Sequence, residues 1–190
     1  MNYLRLSVAA AALACAALTG CSTSPSNARL EPSYEDAANN KFMNANREAI
    51  NRLVAGVDLA KVAGAPVLVA TVVNVNDLRR AAPLGRTLSE QYASFMVANG
   101  FNVKELKMRG DVFVREETGE LMLSREVKDI ARMHSAALVV VGTYSTAAQV
   151  TYISLKLVRT DSGQIVRGHD YALPNDADVN KLLQAPQAPR

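Results

Sequence analysis

A cysteine at position 21, two histidines and a few clustered carboxylates and arginines are the side chains with chemistry to offer in this 190-residue chain. Catalysis and metal binding need such groups to converge, so spacing is the first test. His134 and His169 stand thirty-five residues apart, with no HExxH spacing and no cysteine beside them. They read as a helix-end and a strand-face histidine rather than as metal ligands. Ser89-Glu90 and Ser145-Thr146 have no nearby histidine to activate a hydroxyl, which leaves a hydrolytic triad unsupported. Glu116, Glu117 and Glu120 lack the ligand spacing of a calcium loop and read as a solvated turn. Arg79, Arg80 and Arg86 flank one loop; lipid headgroups or an acidic partner would suit them, but solvated arginines are the default reading. Leu84-Gly-Arg and Val141-Gly-Thr carry one glycine each, where a phosphate cradle needs several. The expectation is a protein that is not an enzyme, with no cofactor and no metal site.

Cys21 differs from the rest because of what precedes it. Met1–Arg5 carries one positive charge, and Leu6–Leu18 is almost wholly Ala, Leu, Val and Cys. That run is about thirteen residues, against roughly 20 for a membrane span, so it reads as the core of a secretory signal. Leu18-Thr19-Gly20-Cys21 follows and resembles the lipobox of bacterial lipoprotein precursors. Small Thr19 and Gly20 let a peptidase approach the bond, and the cysteine thiolate is the nucleophile that takes the lipid. The resemblance implies cleavage before Cys21 and acylation of its thiol and new amino group by palmitate-like chains. Ser22 stands where the inner-membrane retention signal would place Asp. The implied destination is therefore the outer membrane, with the folded part facing the periplasm. Several acyl chains give stable anchoring where one does not.

The totals agree with that reading. Cys15 leaves with the signal and Cys21 is lipidated, so the mature domain holds no thiol for disulfide, redox or metal chemistry. Losing Arg5 with the signal takes the formal charge from +3 to +2. With no Lys/Arg run in addition, nucleic acid is not an expected partner. Ser22 to Asn40 is rich in Ser, Pro, Asn, Asp and Glu without apolar periodicity, the composition of a flexible tether.

The elements that must hold everything else follow. Phe42–Val57 repeats apolar residues at helical spacing and is closed by Gly56. Pro66–Val73 and Leu138–Val141 are continuous apolar runs, as in buried parallel strands. Leu84–Asn99 predicts the best helix, with Leu84, Leu88, Tyr92, Phe95 and Met96 on one stripe, Thr87–Glu90 at capping-box spacing and Gly100 as C-cap. Phe101–Met108 alternates as a strand. Asp111–Val114 and Leu121–Leu123 read as a small hairpin or an irregular excursion. Ser124 caps a helix over Arg125–His134 whose Val127, Ile130 and Ala131 face the core. Tyr152–Val158 alternates, with Ile153, Leu155 and Leu157 on one side, and Ile165–Leu173 completes an antiparallel meander. The fold class is α/β: a mixed sheet of about five strands with parallel β-α-β units, right-handed in crossover, and a C-terminal antiparallel meander, in two or three layers. The expected divisions are residues 1–20 as signal peptide, 21–40 as lipidated tether, 41–175 as a single domain and 176–190 as a disordered tail. Ile165–Leu173 is a candidate partner-binding edge, although Arg167, His169 and Asp170 look like edge protection.

Several short motifs then occur in order: Leu84-Gly-Arg-Thr-Leu-Ser-Glu90, Gly100-Phe-Asn-Val-Lys-Glu-Leu106, Gly119-Glu-Leu-Met-Leu-Ser-Arg-Glu126, Ile130-Ala-Arg, Val139-Val-Val-Gly-Thr-Tyr144, the strand Tyr152–Val158, and His169-Asp-Tyr-Ala-Leu-Pro174. Over Phe42 to Pro174 the chain resembles the FlgO family of outer-membrane lipoproteins. That resemblance implies a periplasmic, outer-membrane-anchored protein that supports flagellar motility as a structural or assembly factor. The α/β order is also similar to the TolB-N and CsgG-like arrangement, with a CsgG-like secretion or envelope-assembly lipoprotein as the alternative. The implied partners are outer-membrane lipid through acylated Cys21 and other flagellar or envelope proteins, with a homo-oligomer as a further option. Cys21 is the functional position that the resemblance carries over.

Overall fold

The structure, a computed structural model, describes residues 32–60, 64–78, 82–105, 113–115 and 121–184. The chain divides after Ala38 into two compact units. Of the first, the described part is a short exposed helix, α1 (Tyr34–Ala38), within the stretch read as tether. Asp36 caps its start, accepting from the Ser33 hydroxyl at 2.7 Å and the Ser33 amide at 2.9 Å. Those bonds hold its carboxyl below the usual carboxylate range.

The second unit opens with α2 (Lys41–Val54), whose buried residues are Asn46, Ala49, Ile50, Leu53 and Val54. That i, i+3, i+4, i+7, i+8 spacing is one helix face. Asn40 caps it, its side-chain oxygen accepting from the amides of Phe42 at 2.9 Å and Met43 at 3.3 Å. The helix ends three residues before the expected Val57, because Gly56 turns the chain at a φ of 74°. Strands β1 (Val67–Val69) and β2 (Val73–Asn74), helix α3 (Pro83–Ala98) and strand β3 (Val103–Glu105) follow. Pro83 starts α3, where a missing N–H costs nothing. Thr87 therefore lies inside the helix and caps nothing. At the other end the Phe101 amide donates to Met96 O at 3.2 Å and the Gly100 amide to Val97 O at 2.9 Å, with Gly100 at a φ of 86°. This is a Schellman ending, as the glycine predicted.

Strands β4 (Phe113–Arg115) and β5 (Leu121–Leu123) pair antiparallel as a separate two-stranded ribbon, matching the hairpin reading. Helix α4 (Arg125–Met133) starts on Ser124, whose hydroxyl accepts from the Val127 amide at 3.3 Å. It ends in the same Schellman pattern, with Ala136 N–H to Ala131 O at 2.9 Å and Ser135 N–H to Arg132 O at 3.0 Å. Here the left-handed position is Ser135, at a φ of 51°. A side chain there is strained, so Ser135→Gly is expected to stabilise the domain by about 0.5–1 kcal/mol. A chemical-denaturation midpoint that moves up at constant slope would show it.

The last elements are β6 (Leu138–Thr146), β7 (Val150–Arg159), β8 (Ile165–Pro174) and α5 (Ala177–Leu183). The main sheet has six strands in the order β3-β1-β6-β7-β8, with β2 also on β6. β3, β1, β2 and β6 are parallel, and β6, β7 and β8 form an antiparallel meander. The sixth strand arises because the apolar run Pro66–Val73 is broken into β1 and β2 rather than continuous.

One face of the sheet, with Val67, Val69, Val140, Tyr144, Ile153, Leu155, Leu157 and Leu173, packs against α2, α3 and α5. On the other face α4 covers Leu68, Ala70, Val73, Val139, Val141 and Val158 through Val127 and Ala131. The fold is thus three-layered over β1 and β6 and two-layered over the outer meander. Residues 177–183, expected as tail, are helical. Asp176 caps α5 by accepting from the Val179 amide at 2.9 Å, and Val179 is buried in the main core.

Candidate functional site

The structure separates the residues the sequence singled out into three groups. Cys15, Cys21, Arg79, Arg80, Glu116, Glu117 and Glu120 lie outside the described residues. His134 closes α4 as its exposed C-cap, and His169 lies half-buried on β8, stacked over Tyr171 with ring centroids 6.2 Å apart. No group of three or more His, Cys, Asp and Glu among the described residues is placed to hold a metal. The buried Ser89 hydroxyl donates back to Gly85 O at 2.9 Å and lies 3.0 Å from Arg86 O, so it serves its own helix. Thr146 meets the Thr151 hydroxyl at 3.4 Å, tying the β6–β7 turn.

The two glycines tested as phosphate loops both turn out to make room for Val72. In this topology β1 leads through α3 to β3 on one side, while β6 joins β1 on the other. The crevice between the carboxyl ends of β1 and β6 is then the switch point where α/β folds hold ligands. The chain itself fills it. A methyl group on Gly85 would stand 1.9 Å from Val72 O, and one on Gly142 would stand 3.1 Å from the Val72 side chain and 2.9 Å from Leu155. Val72 is therefore clamped between the start of α3 and the middle of β6. The single-glycine pattern is the signature of that close packing.

A buried polar cluster ties α2, α3 and β8 together. Asn46 is fully buried and donates through its amide nitrogen to Gln91 Oε1 at 2.7 Å. Its oxygen accepts from the Tyr171 hydroxyl at 2.6 Å, and the hydroxyls of Tyr171 and Tyr92 meet in a short hydrogen bond. Burial raises both phenols above their ordinary range. They are held neutral, which suits hydrogen bonding and disfavours a proton-transfer role. The sequence showed Tyr92 as a core stripe residue; nothing in it signalled the partnership with Asn46, 46 positions away in α2 to Tyr92 in α3.

Two hollows open at opposite ends of the meander. One, of about 460 Å³, lies beside Gly56, Leu138, Arg159 and Val166. Arg159 grips Asp161 there with two bonds of 3.0 and 2.6 Å, which holds that carboxyl below the usual range. Both groups are exposed, so the pair adds little stability. The other hollow, of about 550 Å³, lies over Thr143, Ser145, Tyr152, Ser154, Asp170 and Ala172, with Tyr152 57% exposed. Neither was legible in the sequence, because each is assembled from cross-strand rows.

Similarity to known proteins matches this architecture. The C-terminal domain of LpoB from Salmonella enterica has a TM-score of 0.50 at 18% identity, covering 69% of this chain and 97% of that one. For the Escherichia coli LpoB C-terminal domain the values are 0.48, 16%, 70% and 98%. The PelC dodecamer from Paraburkholderia phytofirmans gives 0.42 at 14% identity, covering 63% of this chain and 80% of that one. At 18% identity the likeness to the Salmonella enterica domain is one of fold. No curated protein matches the sequence significantly. The sequence profile described as FlgO protein matches residues 47–178, from within α2 to the start of α5 and more than half of the length, so the chain belongs to the FlgO family.

Proposed function

We propose that this protein is a lipid-anchored structural or assembly factor of the cell envelope, and that the machine it serves is the flagellum. Membership of the FlgO family across residues 47–178 carries the reading. Cys21, at the end of an apolar run with Thr19 and Gly20 before it, supplies the anchor, and Ser22 directs it to the outer membrane. The domain faces the periplasm and meets other envelope proteins there. In support, polar side chains of the kinds that catalysis uses are engaged by the scaffold: Ser89 by its helix, His134 at a helix end, Asn46, Tyr92 and Tyr171 by one another.

The test is a strain lacking the gene, complemented with the natural chain or with Cys21→Ser. The deletion is expected to grow normally but swim poorly, with the natural chain restoring motility. Cys21→Ser is expected to lose acyl labelling entirely and to leave the outer-membrane fraction, because the acyl chains supply the membrane affinity. Full motility in the deletion strain would remove the flagellar role. Outer-membrane fractionation of the cysteine variant at natural levels would remove the lipid anchor.

A further inference from the structure

β8 is the terminal strand of the main sheet, ten residues long, and no described strand pairs with its outer side. The direction of its backbone groups follows from two hydrogen bonds. The Asn175 amide donates to Gln149 O at 2.9 Å, and the Ala147 amide donates to Val150 O at 2.9 Å. Hydrogen-bonded and non-bonded pairs alternate along an antiparallel ladder. With Thr151 opposite Leu173 and Tyr152 opposite Ala172, the odd residues Arg167, His169, Tyr171 and Leu173 therefore bond inward to β7. Gly168, Asp170 and Ala172 present their N–H and C=O groups outward. Such a row accepts one kind of partner, an extended backbone.

The same three residues point their side chains to the face of the sheet beyond the reach of α4, and there they leave a readable pattern. Across the meander the rows are Val141–Lys156–Gly168, Thr143–Ser154–Asp170 and Ser145–Tyr152–Ala172. Gly168 has no side chain, and a methyl placed there would meet only Leu155 O at 3.7 Å. A residue added beside Gly168 can thus lean across it toward the Lys156 ammonium, for which no ion pair exists among the described residues. Asp170 is exposed and offers its carboxylate directly to the next row. Ala172 is small, so a large ring beside it reaches the exposed edge of Tyr152 in the 550 Å³ hollow. Side chains of an added strand alternate in the same period of two.

We infer that the outer edge of β8 binds an extended segment of a partner protein, added antiparallel to the sheet. Opposite Ala172, Asp170 and Gly168 that segment carries an aromatic, a basic and an acidic residue at alternate positions. A second copy of the chain fits less well. In any register of two-fold pairing of β8 with itself Asp170 meets Val166, Gly168, its own counterpart, Ala172 or Pro174, so no cation of the second copy answers it, and Arg167 lies on the opposite face. The inference is independent of where the protein is anchored.

The test uses the full-length protein in detergent micelles and the synthetic peptide Thr-Tyr-Thr-Arg-Thr-Glu-Thr, against a peptide with the three central side chains in reverse order. Amide chemical shifts should move at Gly168, Asp170 and Ala172, and affinity for the first peptide should exceed that for the reversed one by about tenfold. Asp170→Lys should transfer the preference to a peptide with Glu in place of Arg. Gly168→Leu, which fills the gap over Lys156 where there is space, should weaken binding about tenfold while the melting temperature stays the same. Equal affinity for both peptides would overturn the proposal. So would shifts confined to other residues, the absence of binding at millimolar peptide, or self-association through β8 in place of peptide binding.

Discussion

Gly85→Ala should destabilise the domain by about 3–5 kcal/mol, among the largest effects of any single methyl group in it. The new carbon would stand 1.9 Å from the Val72 carbonyl oxygen, little more than half a van der Waals contact, and the obstacle is backbone. No rotamer change relieves it. Either α3 retreats from the sheet or Val72 is driven against β6, where Gly142 already leaves it little room. Leu84, Leu88, Tyr92 and Met96 are all buried along the adjoining face of α3, so a retreat opens the core along its length. A domain of this size holds only about 5–15 kcal/mol in total, which makes partial unfolding at 37 °C a realistic outcome. Gly142→Ala is the natural control: its methyl meets Leu155 and Val72 side chains at 2.9 and 3.1 Å, and these can yield. A cost of about 1–2 kcal/mol is expected there. Denaturation midpoints of the two variants would order the sites, and a Gly85→Ala protein as stable as the natural one would contradict the clamp.

Stability is also expected to fall steeply above pH 10. An exposed tyrosine in the unfolded chain ionises near 10. Tyr92 and Tyr171 are raised above that, Tyr92 chiefly by burial and then by the Tyr171 charge, Tyr171 chiefly by burial. The folded protein therefore keeps protons that the unfolded chain gives up. The stabilisation is fully present below the unfolded value and is lost as pH climbs toward the folded values, at about 1.4 kcal/mol per pH unit for each tyrosine. Tyr92→Phe separates this from general alkaline damage. It leaves the Tyr171 hydroxyl donated to Asn46 at 2.6 Å, so at pH 7 it should cost only about 1 kcal/mol for the lost hydrogen bond. Tyr144 is also raised, chiefly by burial, so between pH 10 and 12 the loss of stability per pH unit in Tyr92→Phe should be roughly a third smaller than that of the natural chain. An unchanged alkaline slope would remove the two phenols as its cause.

Much of the architecture was legible because it rests on local periodicity. The stripe Leu84, Leu88, Tyr92 and Met96 specified α3 within a residue at each end, and Ser124 with Val127 and Ala131 specified α4 equally well. The runs at Val67 and Leu138 announced parallel buried strands, and they pair as such. The alternation Ile153, Leu155, Leu157 gave the buried face of β7. Local patterns failed where the deciding contact was distant. Pro66–Val73 reads as one strand, yet Val72 leaves the ladder because Gly85 and Gly142, far away in sequence, make a slot for it. Residues 177–183 carry too weak a stripe to stand alone, and α5 forms because Val179 is received by a core already built.

By itself, then, the sequence determined the three longer helices, the buried strands and the parallel-then-antiparallel order. Only the tertiary structure decided that the two motif glycines serve Val72, that Asn46 joins Tyr92 and Tyr171, and that Gly168, Asp170 and Ala172 form an outward-facing row. The physical reason is common to all three. Periodicity records which face of an element is apolar, whereas close approach, buried hydrogen bonding and strand edges are relations between elements. Those are fixed only when the sheet has closed and its neighbours are in place.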